Sequence, residues 1–178
     1  MPEMKLLIVT QKVEENDDVL GFFHRWIEEF AKHCASVIII CLEEGKHNLP
    51  GNVTVYSLGK EHGAASRITY ALRFLKLIKL HAGEYDAVFV HMNPEYAVLG
   101  GMFWRRQRKK IGLWYVHKSV TVWLRLALLF AHAAYTAARE SFRLKMPKVR
   151  VVVHGIDIGR YRGAFVPMRS PLRIVSVG

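Results

Sequence analysis

Residues 5–42 read KLLIVTQKVEENDDVLGFFHRWIEEFAKHCASVIIICL. A short apolar run, Lys5–Thr10, gives way to a polar loop. After it, Val19, Phe22, Phe23, Trp26, Ile27 and Phe30 recur three and four residues apart. That spacing gathers them on one face of a helix over about 19–32, with Asn16, Asp17 and Asp18 as available N-caps. Ser36–Leu42 (SVIIICL) is then apolar without alternation, which suits a parallel strand covered on both faces. Strand, amphipathic helix and doubly covered strand make one βαβ unit, and the rest of the chain extends it.

The Leu49-Pro50-Gly51-Asn52 turn leads to a strand at Val53–Leu58, and a helix is expected over about 64–81. Asp86–His91 (DAVFVH) reads as the fourth strand. Asn93 is placed as an N-cap, with Pro94 at the first helical position, where a missing N–H is harmless, and Glu95 in the first turn. That helix runs towards the basic stretch RRQRKK at 105–110. Ile111–Val116 is a fifth strand, followed by a helix near 121–133 and a weak sixth strand at Ala134–Ala138. Glu140-Ser141-Phe142 opens a short helix stopped by Pro147, and Val149–Val153 is a seventh strand. Residues 119–138 (SVTVWLRLALLFAHAAYTAA) approach the length of a membrane span, but Arg125 and His132 interrupt them. A helix and a strand of a soluble core fit better. The alternation predicts an α/β protein: a Rossmann-like three-layer α/β/α sandwich with a mostly parallel sheet. Residues 1–166 are expected to form this domain. Residues 167–171 read as a linker, and Leu172–Val177 as the first strand of a second domain missing from the chain.

Apolar residues make up 51% of the 178, enough for a substantial core. Lysine and arginine number 26 against 15 acidic residues, a net charge of +11 that favours an anionic partner. Cys34 and Cys41 are the only cysteines, and both read as small buried residues in a reducing compartment. No secretory signal precedes the first strand, so a cytoplasmic location is expected.

Ligands of open α/β sheets bind beyond the carboxyl ends of the strands. After the first strand comes the loop 11–18 and then Gly21, where a small residue lets a backbone approach a ligand. His91 and Asn93 follow the fourth strand, and His117 and Lys118 the fifth. Arg139, Glu140 and Ser141 follow the sixth; His154, Gly155, Ile156 and Asp157 follow the seventh. Polar and imidazole groups therefore collect along one rim. Gly100-Gly101 lies inside a helix and is read as a close-packing point. Nothing in the pattern implies a metal or a resident cofactor.

The segments YDAVFVHMNP, LWYVHK, TAARESFRLK and, above all, VVVHGIDIGRY before a linker and RIVSVG resemble, in order, the family 4 glycosyltransferases of the GT-B fold. In that resemblance Gly155, Ile156, Asp157 and Tyr161 close the N-terminal domain. It implies an acceptor-holding domain of a retaining enzyme, with a nucleotide-sugar donor held mainly by the C-terminal domain. The acceptor is a saccharide or a lipid-linked molecule. His117 is then the candidate catalytic, acceptor-side histidine. Gly21, His91, Asn93 and Lys118 are candidate acceptor contacts, and Arg139, His154, Gly155 and Asp157 line the interdomain cleft. The family's Glu-x7-Glu donor motif is absent, because no two glutamates stand eight positions apart. The isolated chain is therefore expected to be inactive.

Trp104 with Arg105, Arg106, Arg108, Lys109 and Lys110 reads either as a solvated charge run or as a contact for an anionic membrane at the inner face. Two other functions remain open: a binding module that docks on a separate partner, and a basic nucleic-acid-binding protein. The second lacks any recognition motif, so no specific nucleic acid is expected. A different nucleotide-binding Rossmann enzyme is disfavoured by the lack of a glycine-rich loop after KLLIVT.

Overall fold

The computed structural model describes residues 4–63 and 65–152. Among them, seven strands form a single sheet in the order β3-β2-β1-β4-β5-β6-β7, every pair parallel. The strands are β1 (Lys5–Val13), β2 (Ser36–Glu44), β3 (Val53–Ser57), β4 (Ala87–His91), β5 (Lys110–Trp114), β6 (Ala133–Thr136) and β7 (Val149–Val151). The helices are α1 (Gly21–His33), α2 (Arg67–Leu80), α3 (Pro94–Arg106) and α4 (Val122–Phe130). The winding reverses at β1, so the switch point lies between β1 and β4.

Alternate strand residues point to opposite faces, and the core divides accordingly. Leu7, Val9, Ile38, Ile40, Val88, Val90, Ile111 and Leu113 pack under α2, α3 and α4, against Phe74, Ile78, Trp104, Leu124 and Leu128. Leu6, Ile8, Val37 and Ile39 pack under α1, against Phe23 and Ile27. Each fully buried aliphatic or aromatic side chain stabilises the fold by about 1.5–3 kcal/mol. Cys34 and Cys41 are buried as expected, and burial pushes the Cys41 thiol up to about 12, so it stays protonated.

Three departures from the sequence pattern have physical causes. First, β1 and β2 run past their apolar stretches: Lys12 pairs with Glu43 and Val13 with Glu44, overhanging β4, whose pairing with β1 ends at Val9↔Val90. The Lys12 ammonium holds this ledge. It lies 2.5 Å from Glu14, 2.9 Å from Asp17 and 3.2 Å from Glu43. Second, α1 begins at Gly21 rather than Val19, which is 74% exposed. The Asp17 carboxylate accepts from the Val19 and Leu20 amides at 2.9 and 2.7 Å, forming a turn ahead of the helix. The Leu20 amide, then Lys12 and the Val19 amide, hold the Asp17 carboxyl down to about 2. Third, α4 is shorter than the apolar run suggests, with Thr121 accepting from the Leu124 amide at its start.

Gly100 and Gly101 are packing points. A Cβ on Gly101 would stand 2.4 Å from Phe130 of α4, and one on Gly100 would stand 2.6 Å from the Trp104 ring. Trp104 corrects the surface reading. It is fully buried, and its indole N–H donates to the Tyr85 hydroxyl at 3.0 Å; that hydroxyl donates to the Ile78 carbonyl at 2.9 Å. Lys109 also turns inward, donating to the Tyr85 carbonyl with its ammonium 4.9 Å from the Tyr85 ring centroid. A pattern of aromatic followed by cations does not distinguish an indole inside a helix from one on a surface. Arg105, Arg106, Arg108 and Lys110 remain exposed. They stand where α3 ends and β5 begins, at the amino edge of the sheet. No helix among the described residues is long and apolar enough to cross a membrane.

Candidate functional site at the β1–β4 switch point

Parallel strands place their last residues together on one rim. At the switch point β1 and β4 are joined by two side-chain pairs. The Thr10 hydroxyl lies 3.2 Å from His91 Nδ1, both groups fully buried. One residue further out, Asn93 donates from Nδ2 to Gln11 Oε1 at 3.1 Å. Asn93 occupies the N-cap of α3 but makes no side-chain cap. Its amide is used across the switch point, which corrects its reading as a simple cap. Between the two pairs, Met92 takes a φ of +66°, a left-handed conformation uncommon for a residue with a side chain. Its amide donates to the Trp114 carbonyl of β5 at 2.8 Å, which ties the turn to the next strand. Such strained positions persist where the surroundings over-determine them, often at functional sites.

Gln11 and Asn93 form the polar end of a groove of about 510 Å³. Its walls come from the first turns of α2 and α3 and from α4: Arg67, Ile68 and Tyr70; Glu95, Tyr96 and Leu99; and Trp123, with Leu42 beneath. Burial pushes the Tyr96 phenol up to about 12, so it stays a neutral donor. The lining thus offers the Gln11 and Asn93 amides, the Tyr70 and Tyr96 phenols, one cation, one carboxylate and an apolar remainder. That composition suits a neutral polyhydroxyl group with an apolar extension.

The α1 side of the rim is different. The Phe23 ring stacks on His91 with centroids 3.8 Å apart, and Trp26 meets Trp114 edge-on at 4.8 Å. His91 is thus a buried joint between α1, β1 and β4, not an open groove contact. Gly21 stands where α1 starts, and a Cβ there would lie 2.9 Å from the Glu15 carbonyl oxygen. The loop's own backbone requires glycine at this position. The Asp17 carboxylate and Lys12 already occupy the approach to that helix end.

His117 and Lys118 are exposed on the loop after β5, the imidazole 5.8 Å from the Tyr115 ring. The structure brings His91, Asn93 and Gly21 around the switch point and leaves His117 and Lys118 outside the two hydrogen-bonded pairs. Arg139 is exposed in a single turn, Arg139–Ser141, and lines a second hollow of about 920 Å³ beside β6 and β7. His154, Gly155 and Asp157 lie outside the described residues, as do the expected linker and second-domain strand. Sequence reasoning placed Gln11 only as the start of the loop after β1, and missed Thr10, Tyr96 and Trp123. Thr10 and Gln11 had a usable signal, being polar residues that close the first apolar strand. Tyr96 and Trp123 had none, because helical periodicity places them equally well in a core.

No family model matches the chain, and no curated protein does. Solved structures do. HepE from Anabaena, solved in complex with UDP, superposes with a TM-score of 0.63 at 16% identity, over 90% of this chain and 47% of that one. MurG from Acinetobacter baumannii gives 0.56 at 11% identity, over 92% of this chain and 50% of that one. UDP-GlcNAc 2-epimerase from Methanocaldococcus jannaschii gives 0.56 at 13% identity, over 84% and 45%. At these identities the likeness shows the fold: a Rossmann-like domain of the GT-B type. The chain spans about half the length of each of these structures.

Proposed function

We propose that this chain is the acceptor-side domain of a retaining, family 4-like GT-B glycosyltransferase, whose nucleotide-sugar donor is held mainly by a second domain. The observation that carries the reading is the groove at the switch point. Its polar end is built from the Gln11–Asn93 pair and its length is apolar. A sugar hydroxyl is matched by the amides and the Tyr96 phenol. A lipid-linked acceptor is matched by the apolar walls. Lys12 is the cation nearest the tip of β1, and three carboxylates engage it, which disfavours a diphosphate there. In this reading His117, on its exposed loop, contacts an acceptor or sugar hydroxyl, and Lys118 and Arg139 line the face that meets the second domain.

A thermal-shift titration of the chain with UDP-, GDP- and ADP-glucose tests the division of labour. No response at micromolar donor is expected, and a micromolar affinity for any of the three overturns the acceptor-side assignment. In the complete enzyme, NMR of the first-formed product should show the donor's anomeric configuration retained. His117→Ala should lower kcat/KM at least about tenfold, about 1.4 kcal/mol of transition-state binding.

A further inference from the structure

The outward side of α4 is apolar although its inward side already supplies the core. Leu124, Ala127 and Leu128 are buried, while Val122 is 71% exposed, Trp123 47%, Leu126 38% and Leu129 70%. A helix apolar on both sides, as α4 is with Arg125 its one charge, meets apolar surroundings on both. The neighbouring helices continue the feature: Ile68 and Leu72 are exposed on α2, and Met102 on α3. Ile68, Leu99 and Trp123 belong both to this surface and to the groove, so the two are continuous.

The charge around this surface is of one sign. Helices α2, α3 and α4 together carry Arg67, Arg73, Lys76, Lys79, Arg105, Arg106 and Arg125, all exposed, against a single carboxylate, Glu95. The ion pairs on Lys12, His24, Lys32, His47, Lys60 and His62 lie on other elements, and the His81–Glu84 pair lies just past the end of α2. We propose that the outer face of α4, with the exposed apolar residues of α2 and α3, docks on an anionic lipid bilayer and lies in its interface. Arg73 donates to the Leu58 carbonyl and Arg105 meets His132, but no carboxylate of these helices other than Glu95 offsets the seven charges, and apolar side chains on helices with such a cation excess match acyl chains beneath anionic headgroups. A second copy of the same face would set cations against cations. With nine residues, α4 is about 14 Å long and lies in the interface rather than crossing it. The surface shares Arg105 and Arg106 with the basic run at 105–110 but is centred on α4 rather than on Trp104, which is buried, and the inference stands without the transferase reading.

Cosedimentation of the 178-residue chain with vesicles tests it, comparing pure phosphatidylcholine with mixed phosphatidylcholine and phosphatidylglycerol. Binding to the mixed vesicles alone is expected, weakened by salt, with Trp123 fluorescence quenched by brominated lipid and the quenching reduced in Trp123→Tyr. Leu126→Glu with Leu129→Glu should weaken binding at least about tenfold while the circular dichroism spectrum stays unchanged. Neutralising Arg105, Arg106 and Arg108 should weaken it less. No binding to anionic vesicles overturns the proposal. So does binding that survives the α4 substitutions but is lost with the three arginines, or lipid quenching that is the same in Trp123→Tyr. A dimer in sedimentation velocity that the α4 substitutions dissolve would assign the face to self-association and overturn it too.

Discussion

The two faces of the sheet are covered in unlike ways. On one, α1 behaves as an ordinary surface helix: Phe23 and Ile27 turn inward, while Glu28, Glu29, Arg25 and Lys32 mix both signs outside, Lys32 and Glu29 meeting at 2.5 Å. On the other, α2, α3 and α4 bury their inner residues and keep apolar side chains and cations outside. Folding requires only the inner set. The contrast therefore separates residues that hold the domain together from residues that meet something beyond it, and substitutions can test the separation one side at a time.

The largest effect should come from the inner set of the three-helix face. Trp104→Ala removes a fully buried indole and leaves the Tyr85 hydroxyl without its donor. A loss of about 3–5 kcal/mol is expected in urea denaturation. A loss below about 1 kcal/mol would mean that this face is loosely packed. Next, Gly101→Val drives a side chain into Phe130 and should separate α3 from α4 at a cost of about 1–3 kcal/mol. The same denaturation curves would show it, and an unchanged midpoint would mean that Phe130 swings aside without strain.

The layering was legible in the sequence; its edges were not. Runs such as Ser36–Leu42 announce doubly covered parallel strands because they lack alternation, and the α1 stripe carries the helical period. The end of β1 was hidden because Thr10, Gln11 and Lys12 break the apolar run: Lys12 stays in the strand through ion pairs, and Val13, buried in the core under α1, stands alone beyond them. The place of the site followed from topology, since strand tips converge wherever a parallel sheet reverses. Its partners did not: Asn93 reads as a cap by position, and only the fold brings Gln11, 82 residues away in sequence, within 3.1 Å of it. Trp104 failed as a surface residue because the same periodicity serves the core.

The switch point should show a smaller effect. Asn93→Ala removes one half-buried hydrogen bond and should cost about 1 kcal/mol by chemical denaturation. No change would mean that Gln11 finds another partner and that the pair does not order the rim. Smaller again is the outer set. Leu129→Gln should shift the unfolding free energy by less than about 0.5 kcal/mol. A loss as large as that of Trp104→Ala would erase the distinction between the two sides of α4.

The smallest expected effect lies at the amino edge of the three-helix face and depends on pH. Partial desolvation of an otherwise exposed ring, then Arg105, Lys110 and Lys148, hold the His132 imidazole below its usual range. The Ile111 amide donates to its Nδ1 at 3.0 Å, a bond that needs an unprotonated nitrogen there. The folded chain therefore binds fewer protons at this ring than the unfolded chain does. Stability from the neutral ring is present above the unfolded value of about 6.5 and is lost as pH falls through the lower folded value. Melting temperature followed from about pH 8 down to about pH 5 should decline more steeply for the wild type than for His132→Asn, whose side-chain carbonyl can accept from the same amide without titrating. Parallel declines would show that the cations of this face are too well solvated to be felt at His132. The same solvation would weaken the case that they confront a lipid surface uncompensated.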